Sequence, residues 1–228
     1  MDMLTSTDWQ ALLLSARVAA MATVIALPVG FAVACLLHFG KFRGKAFLEG
    51  AVNLPLVLPP VVVGYLLLLG LGENGLGPIL KKFGLSILFT WYAAVLAAMV
   101  VGFPLLVRAI RIGLEGIDPQ LILASSSLGA GRFDTLFNVV LPLTRRSLLA
   151  GASLMFARSL GEFGATIMIA GNIPGVTQTI PLAIYDYSGM VGGERLALGL
   201  CLASIVLSFV VLIGSDRLTR FRREAGAS

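Results

Sequence analysis

Five stretches of this chain are long and almost continuously apolar, and short polar segments separate them. A membrane helix needs roughly 20 such residues to cross about 30 Å of hydrocarbon. The pattern therefore predicts spans at about 11–37, 51–71, 87–107, 147–170 and 196–215, in one transmembrane domain over residues 1–228. Composition supports this reading. The chain is 57% hydrophobic and 13% charged, about half the charge of an ordinary soluble domain.

The cations occupy alternate polar breaks. Lys41, Arg43 and Lys45 fill the first, Arg108, Arg111, Arg132, Arg145 and Arg146 the third, and Arg217, Arg220, Arg222 and Arg223 the tail. Lys and Arg in short loops stay on the cytoplasmic side, so the N-terminus is expected outside and the C-terminus in the cytoplasm. Asp2, Asp8, Glu73, Lys81, Lys82, Asp186 and Glu194 then fall on the outer side. The net charge of +5 is explained by basic flanks facing anionic lipid, and nucleic acid is not needed as a partner. The first ten residues lack a basic leader, so the first span is expected to remain attached.

Several apolar runs contain breakers: Pro28 and Gly30 in the first, Pro55, Pro59, Pro60 and Gly64 in the second, and Gly102 and Pro104 in the third. Each proline removes a backbone donor and disturbs the preceding turn, which predicts interrupted helices. Asn53 and the paired prolines are costly against lipid. They belong either to a kinked packing helix or to one lining a water-accessible path. No inverted repeat of these breaks is visible, which argues against a secondary transporter.

The polar segment from Arg108 to Arg146 predicts one further helix. Asp118 supplies an N-cap acceptor and Pro119 suits the first turn. Leu121, Ala124 or Ser125, and Leu128 recur at helical spacing, and Gly129 and Gly131 mark the stop. This helix, within 118–131, is too short to span, and its apolar stripe must pack against the underside of the spans or against a cytoplasmic partner. The fourth span is placed after Arg145 and Arg146, which leaves Phe133 to Thr144 as an interfacial connector.

Arg158 and Glu162 stand four residues apart inside the predicted fourth span. One helix face would carry both, as a buried structural pair or as the border of an anion path. Gly161 and Gly164 flank Glu162 and Phe163 and permit close helix approach, as a gate or as a packing notch. The outward segment from Asn172 to Gly193 is either a dock for an external protein or a surface loop. Cys35 and Cys201 lie in spans without CxxC spacing, and His38 stands alone, so no metal site is expected. Glu162, Asp186 and His38 do not assemble into a catalytic set. A membrane enzyme is disfavoured, while a structural or channel protein would share the hydrophobicity.

The run LILASSSLGAGRFDTLFNVVLPL, Leu121 to Leu143, resembles the cytoplasmic signature of bacterial ABC importer permeases, written as EAA, three residues, G and a later LP pair. Leu123, Ala124 and Ser125 stand at its opening positions, Gly129 at the glycine, and Leu141 and Pro142 at the closing pair. Leu123 replaces the acidic residue and Ser125 the second alanine, so the family glutamate's salt bridge does not carry over. The stretches ARSLGEFGATIMIAGNIPGVTQTIPLAIY, NLPLVLPPVVVGYLLL and RAIRIGLEGIDP are similar to molybdate permeases first and sulfate permeases next.

The resemblance implies an all-α type I ABC importer permease of the bacterial inner membrane, with five transmembrane helices and a short cytoplasmic coupling helix. Leu121, Ala124, Ser125, Leu128 and Gly129 would couple to the ATPase. Arg158, Glu162, Phe163 and Gly164 would border the oxyanion path or gate, and Asn53, Pro55, Pro59 and Pro60 would form a kinked pore-side helix. Implied partners are a second copy, an ATP-binding subunit dimer, an external oxyanion-binding protein and membrane lipid. ATP and Mg would bind the partner, since this sequence lacks GxxxxGK[ST].

Overall fold

A computed structural model describes residues 5–224. Asp2 lies outside the described residues, as do the side chains of Arg217, Arg220, Arg222 and Arg223. Among the described residues four helices are long and apolar enough to cross a membrane, or five if one sharply bent pair counts as a span.

Helix α1, Ser6–Phe39, has 34 residues and is therefore about 51 Å long. Thr5 and Asp8 cap its start reciprocally: the Thr5 N–H donates to Asp8 Oδ2 at 2.6 Å, and the Asp8 N–H donates to Thr5 Oγ1 at 3.3 Å. Pro28 and Gly30 do not interrupt α1, contrary to the sequence expectation. Gly30 instead admits a neighbour, because a Cβ there would lie 2.7 Å from Leu106 Cδ2.

Helix α5, Trp91–Glu115, likewise runs unbroken through Gly102 and Pro104, and it starts later and ends later than the predicted 87–107. A Cβ on Gly102 would stand 3.0 Å from Met155 Cγ. The alanines 19, 22, 26 and 34 of α1 and 93, 94, 97 and 98 of α5 are buried. Such small side chains let membrane helices approach closely, and α5 packs chiefly on α1 and on the helix that begins at Arg132.

The second apolar run does break. Helices α2, Lys45–Val57, and α3, Pro60–Leu71, meet at 119° across Leu58 and Pro59. Pro60 lacks an N–H, and a residue preceding proline is pushed out of the helical region. Leu58 and Pro59 accordingly have ψ of 142° and 135°. Pro55 lies within α2 and does not end it. Helix α4, Gly77–Lys82, follows, with Lys81 paired to Glu73.

Beyond the surface helix α6, Pro119–Ser127, helix α7 runs from Arg132 to Leu160. Two expectations fail here. Phe133 to Thr144 is not a separate interfacial connector but the first part of α7, and the helix does not wait for Arg145 and Arg146 to pass. Residues Leu136–Val140 form a π-helical turn, in which the Leu141 N–H reaches Leu136 O. This widened turn shifts the hydrogen-bond ladder just before Pro142, whose nitrogen has no proton to give.

The predicted fourth span also ends early. Helix α7 stops at Leu160, residues Gly161 to Phe163 are non-helical, and α8, Gly164–Ala170, follows. The segment from Asn172 to Gly193 is not a loop throughout, because it contains α9, Ile180–Ser188. Its entrance is tied to α1 by the Ile180 N–H donating to Ser15 Oγ at 2.8 Å, and its end by Tyr187 Oη donating to buried Asp8 Oδ1 at 2.8 Å. Burial, followed by the hydrogen bond to Asp8, pushes the Tyr187 phenol above its ordinary pKa, so it keeps the proton it donates. Helix α10, Glu194–Glu224, is the last of the described elements.

Candidate functional site

Two places combine the residues singled out above, and α7 joins them. The first is α6. Asp118 Oδ1 accepts from the Gln120 N–H at 2.9 Å and caps the helix, with Pro119 in its first turn. The chain leaves through Gly129, whose φ of +85° lies in the left-handed region that glycine enters without a Cβ penalty. Ser126 and Ser127 return their hydroxyls to Ile122 O and Leu123 O, each at 3.0 Å. Ser125 alone reaches across, with its Oγ 2.8 Å from Thr135 Oγ1 in the first turn of α7.

The apolar stripe of α6 is not folded under the spans. Leu121 and Leu123 are exposed and Leu128 is 89% exposed. Leu121, Ala124, Ser125, Leu128 and Gly129 line a single groove of about 510 Å³, together with Asp134 and Val139. The bundle leaves this groove open for another molecule.

The second place is the break after α7. Arg158 Nη1 lies 2.9 Å from Glu162 Oε2. The two are not on one helix face, since Arg158 is in the last turn of α7 and Glu162 lies beyond its end. Glu162 Oε2 makes no hydrogen bond, so the attraction is ionic rather than directional. Glu162 Oε1 accepts from the Ala165 N–H at 2.9 Å, which ties the carboxylate to the first turn of α8. The Glu162 side chain is 2% exposed and that of Arg158 is 31% exposed. The acid is thus fixed within the protein while the Arg158 side chain stays partly exposed.

The break between α2 and α3 touches the break after α7. A Cβ on Gly164 would lie 3.0 Å from Pro60 Cβ and 3.1 Å from Val61 N. A Cβ on Gly64 would lie 2.8 Å from Ala165 Cα, Ala165 O and Met168 Cβ. Gly161 makes no comparable approach, so only Gly164 fits the close-packing expectation. The Phe163 ring lies 5.2 Å from that of Tyr185, at a cleft of about 530 Å³ between α7, α9 and α10.

Asn53 and Pro55 stand apart from Pro59 and Pro60. Asn53 Oδ1 accepts from Arg108 Nε at 2.8 Å and its Nδ2 donates to Glu49 O at 2.7 Å, while Arg111 pairs with Glu49. Asn53 is therefore satisfied by a clamp between α2 and α5, and Pro55 lines an apolar cleft beside α1. Sequence reasoning missed Glu49. The available signal was its spacing of four from Asn53, opposite two arginines three apart. Arg17 was also missed; its guanidinium carbon lies 4.3 Å from the Trp91 ring centroid, a cation–π contact.

A membrane bundle with an open amphipathic helix, hydrogen-bonded to the start of the helix that ends at a paired break, has the construction of a transport permease. The chain belongs to the family described as binding-protein-dependent transport system inner membrane component, which matches residues 26–224. It is a multi-pass protein of the inner membrane and a transmembrane subunit of an importer. Relatives include the molybdenum transport system permease protein ModB of Escherichia coli strain K12, 51% identical over 97% of each chain. The ModB of Haemophilus influenzae is 49% identical over 91% of each.

Solved structures share the fold at lower identity. A bacterial ABC transporter that imports alginate aligns with TM-score 0.74 and 14% identity over 95% of this chain and 80% of its own. The inward-facing MetNI methionine transporter aligns with TM-score 0.69 and 19% identity over 96% and 95%.

Proposed function

We propose that the chain is the permease subunit of a molybdate importer, with its N-terminus outside and its C-terminus in the cytoplasm. Two copies would enclose the oxyanion path, two ATP-binding subunits would dock at the α6 grooves, and an external binding protein would deliver the anion near α9. The substrate reading is supported by relatives named for molybdenum transport at 51% and 49% identity. This chain supplies no ATP chemistry; ATP and Mg belong to the partner.

The observation that carries the mechanism is the unbroken path through α7. Closure of the ATPase dimer displaces α6, and the Ser125–Thr135 contact passes that movement to the first turn of α7. Helix α7 is 29 residues long, and its far end holds Arg158. The Arg158–Glu162 pair and the abutting Pro60 and Gly164 then shift as a gate. Arg158 draws the dianion, and fixed Glu162 keeps that attraction weak enough for release.

Uptake by vesicles carrying the complete complex, with its binding protein and either molybdate, tungstate or sulfate outside, tests the substrate. Molybdate should accumulate in an ATP-dependent manner; faster sulfate uptake would replace the assignment. Failure of an ATPase to co-purify under mild extraction would favour a channel or structural role instead.

Docking has its own test. Gly129→Asp places a carboxylate at the groove beside Asp134, at a glycine with open space around it and a backbone conformation that Asp tolerates better than most residues. Uptake should fall at least tenfold while insertion and yield stay normal. Normal ATP-driven uptake would remove Gly129 from the docking surface.

A further inference from the structure

A neighbouring side of α6, carrying Ile122 and Ser126, borders a second cleft of about 600 Å³, between α6, the end of α1 and the start of α7. We propose that this cleft binds the headgroup of an anionic phospholipid. Lys41 and Arg132 both line it. Neither forms an ion pair among the described residues, where the acidic partners are Glu73, Glu49 and Glu162. Asp134, two residues from Arg132, is engaged by Asn138. Lys45 folds back so that its Nζ donates at 3.3 Å to the carbonyl of Gly40, a residue that lines the cleft.

The walls select a lipid over a free anion. Phe39, Ile122, Leu136 and Val140 line the same cleft, and Phe39 is the last residue of a helix long and apolar enough to span a membrane. A hydrated inorganic anion gains nothing from apolar walls, whereas glycerol and the first acyl carbons bury against them. Two cations set above such walls match an amphiphile with a phosphate head. A lipid seated here would brace α6 against α1 and α7, while Leu121 and Leu128 remain available at the docking groove. The site does not depend on which oxyanion is transported.

The test uses the full chain in nanodiscs of phosphatidylcholine containing a trace of photoactivatable phosphatidylglycerol. Labelling should map to peptides containing Lys41 and Arg132, and unlabelled phosphatidylglycerol should compete. Each cation near a membrane surface contributes about fivefold in affinity, so Lys41→Gln with Arg132→Gln should cut labelling by more than tenfold. Lys41→Arg with Arg132→Lys, which keeps both charges, should retain it, as should Lys81→Gln with Lys82→Gln. Equal labelling by a phosphatidylcholine probe, or undiminished labelling of the doubly neutral variant in monodisperse protein, overturns the proposal. Complete displacement by millimolar inorganic phosphate overturns it too, by making this a free-anion site.

Discussion

Gly64→Leu should leave little folded permease to extract from the membrane. The first carbon of the new side chain would fall 2.8 Å from Ala165 Cα and O, and backbone atoms of a packed helix have no rotamer to retreat into. Overpacking in cores commonly costs 1–3 kcal/mol, and here α3 and α8 must part along their contact. A cost of about 3 kcal/mol or more is expected, roughly a hundredfold in the ratio of folded to unfolded protein. Gly70→Leu on the same helix is the control, because a Cβ there meets nothing within 4 Å. Monodisperse yield after detergent extraction should collapse for Gly64→Leu and hold for Gly70→Leu. Equal yields would show that α3 and α8 do not depend on this contact.

Arg158→Ala should harm both yield and uptake, and a second substitution should separate the two effects. Removing the arginine leaves the buried Glu162 carboxylate without its cation; because Arg158 is itself 31% exposed, the cost should fall below the roughly 3–5 kcal/mol of a fully buried pair, at about 1–3 kcal/mol. Adding Glu162→Gln removes the stranded charge while its side-chain oxygen can still accept from the Ala165 N–H. Yield should therefore recover in Arg158→Ala with Glu162→Gln. Uptake should remain depressed by at least tenfold, because the path has lost the cation that attracts the dianion. If uptake returned together with yield, the pair would be a structural tie with no part in the path.

Much of this was readable from residue order. The length of the apolar runs, the Asp118–Pro119 helix start, the Gly129 stop and the break at Pro59–Pro60 are local matters, governed by hydrogen bonds within about one turn. The surface helix was therefore located almost to the residue. The clamp from Asn53 and Glu49 to Arg108 and Arg111 was not, since its partners lie 55 and 62 positions apart. Arg158 and Glu162 do lie side by side, though not on a shared helix face. Their spacing suggested a helix face, whereas the helix ends between them and the chain turns the carboxylate back.

The sequence alone determined that the protein is a helical membrane bundle, where its surface helix lies and which segments carry cations, because hydrophobic run length and capping chemistry act along the chain. Tertiary structure decided which breakers break. Pro28, Pro104, Gly30 and Gly102 sit in continuous helices, and both glycines receive a neighbouring helix, whereas Pro59, Pro60 and Gly161 to Phe163 interrupt theirs. A glycine or proline only permits a bend or a close approach. The helix packed against it sets which one occurs, and residue order does not reveal that neighbour.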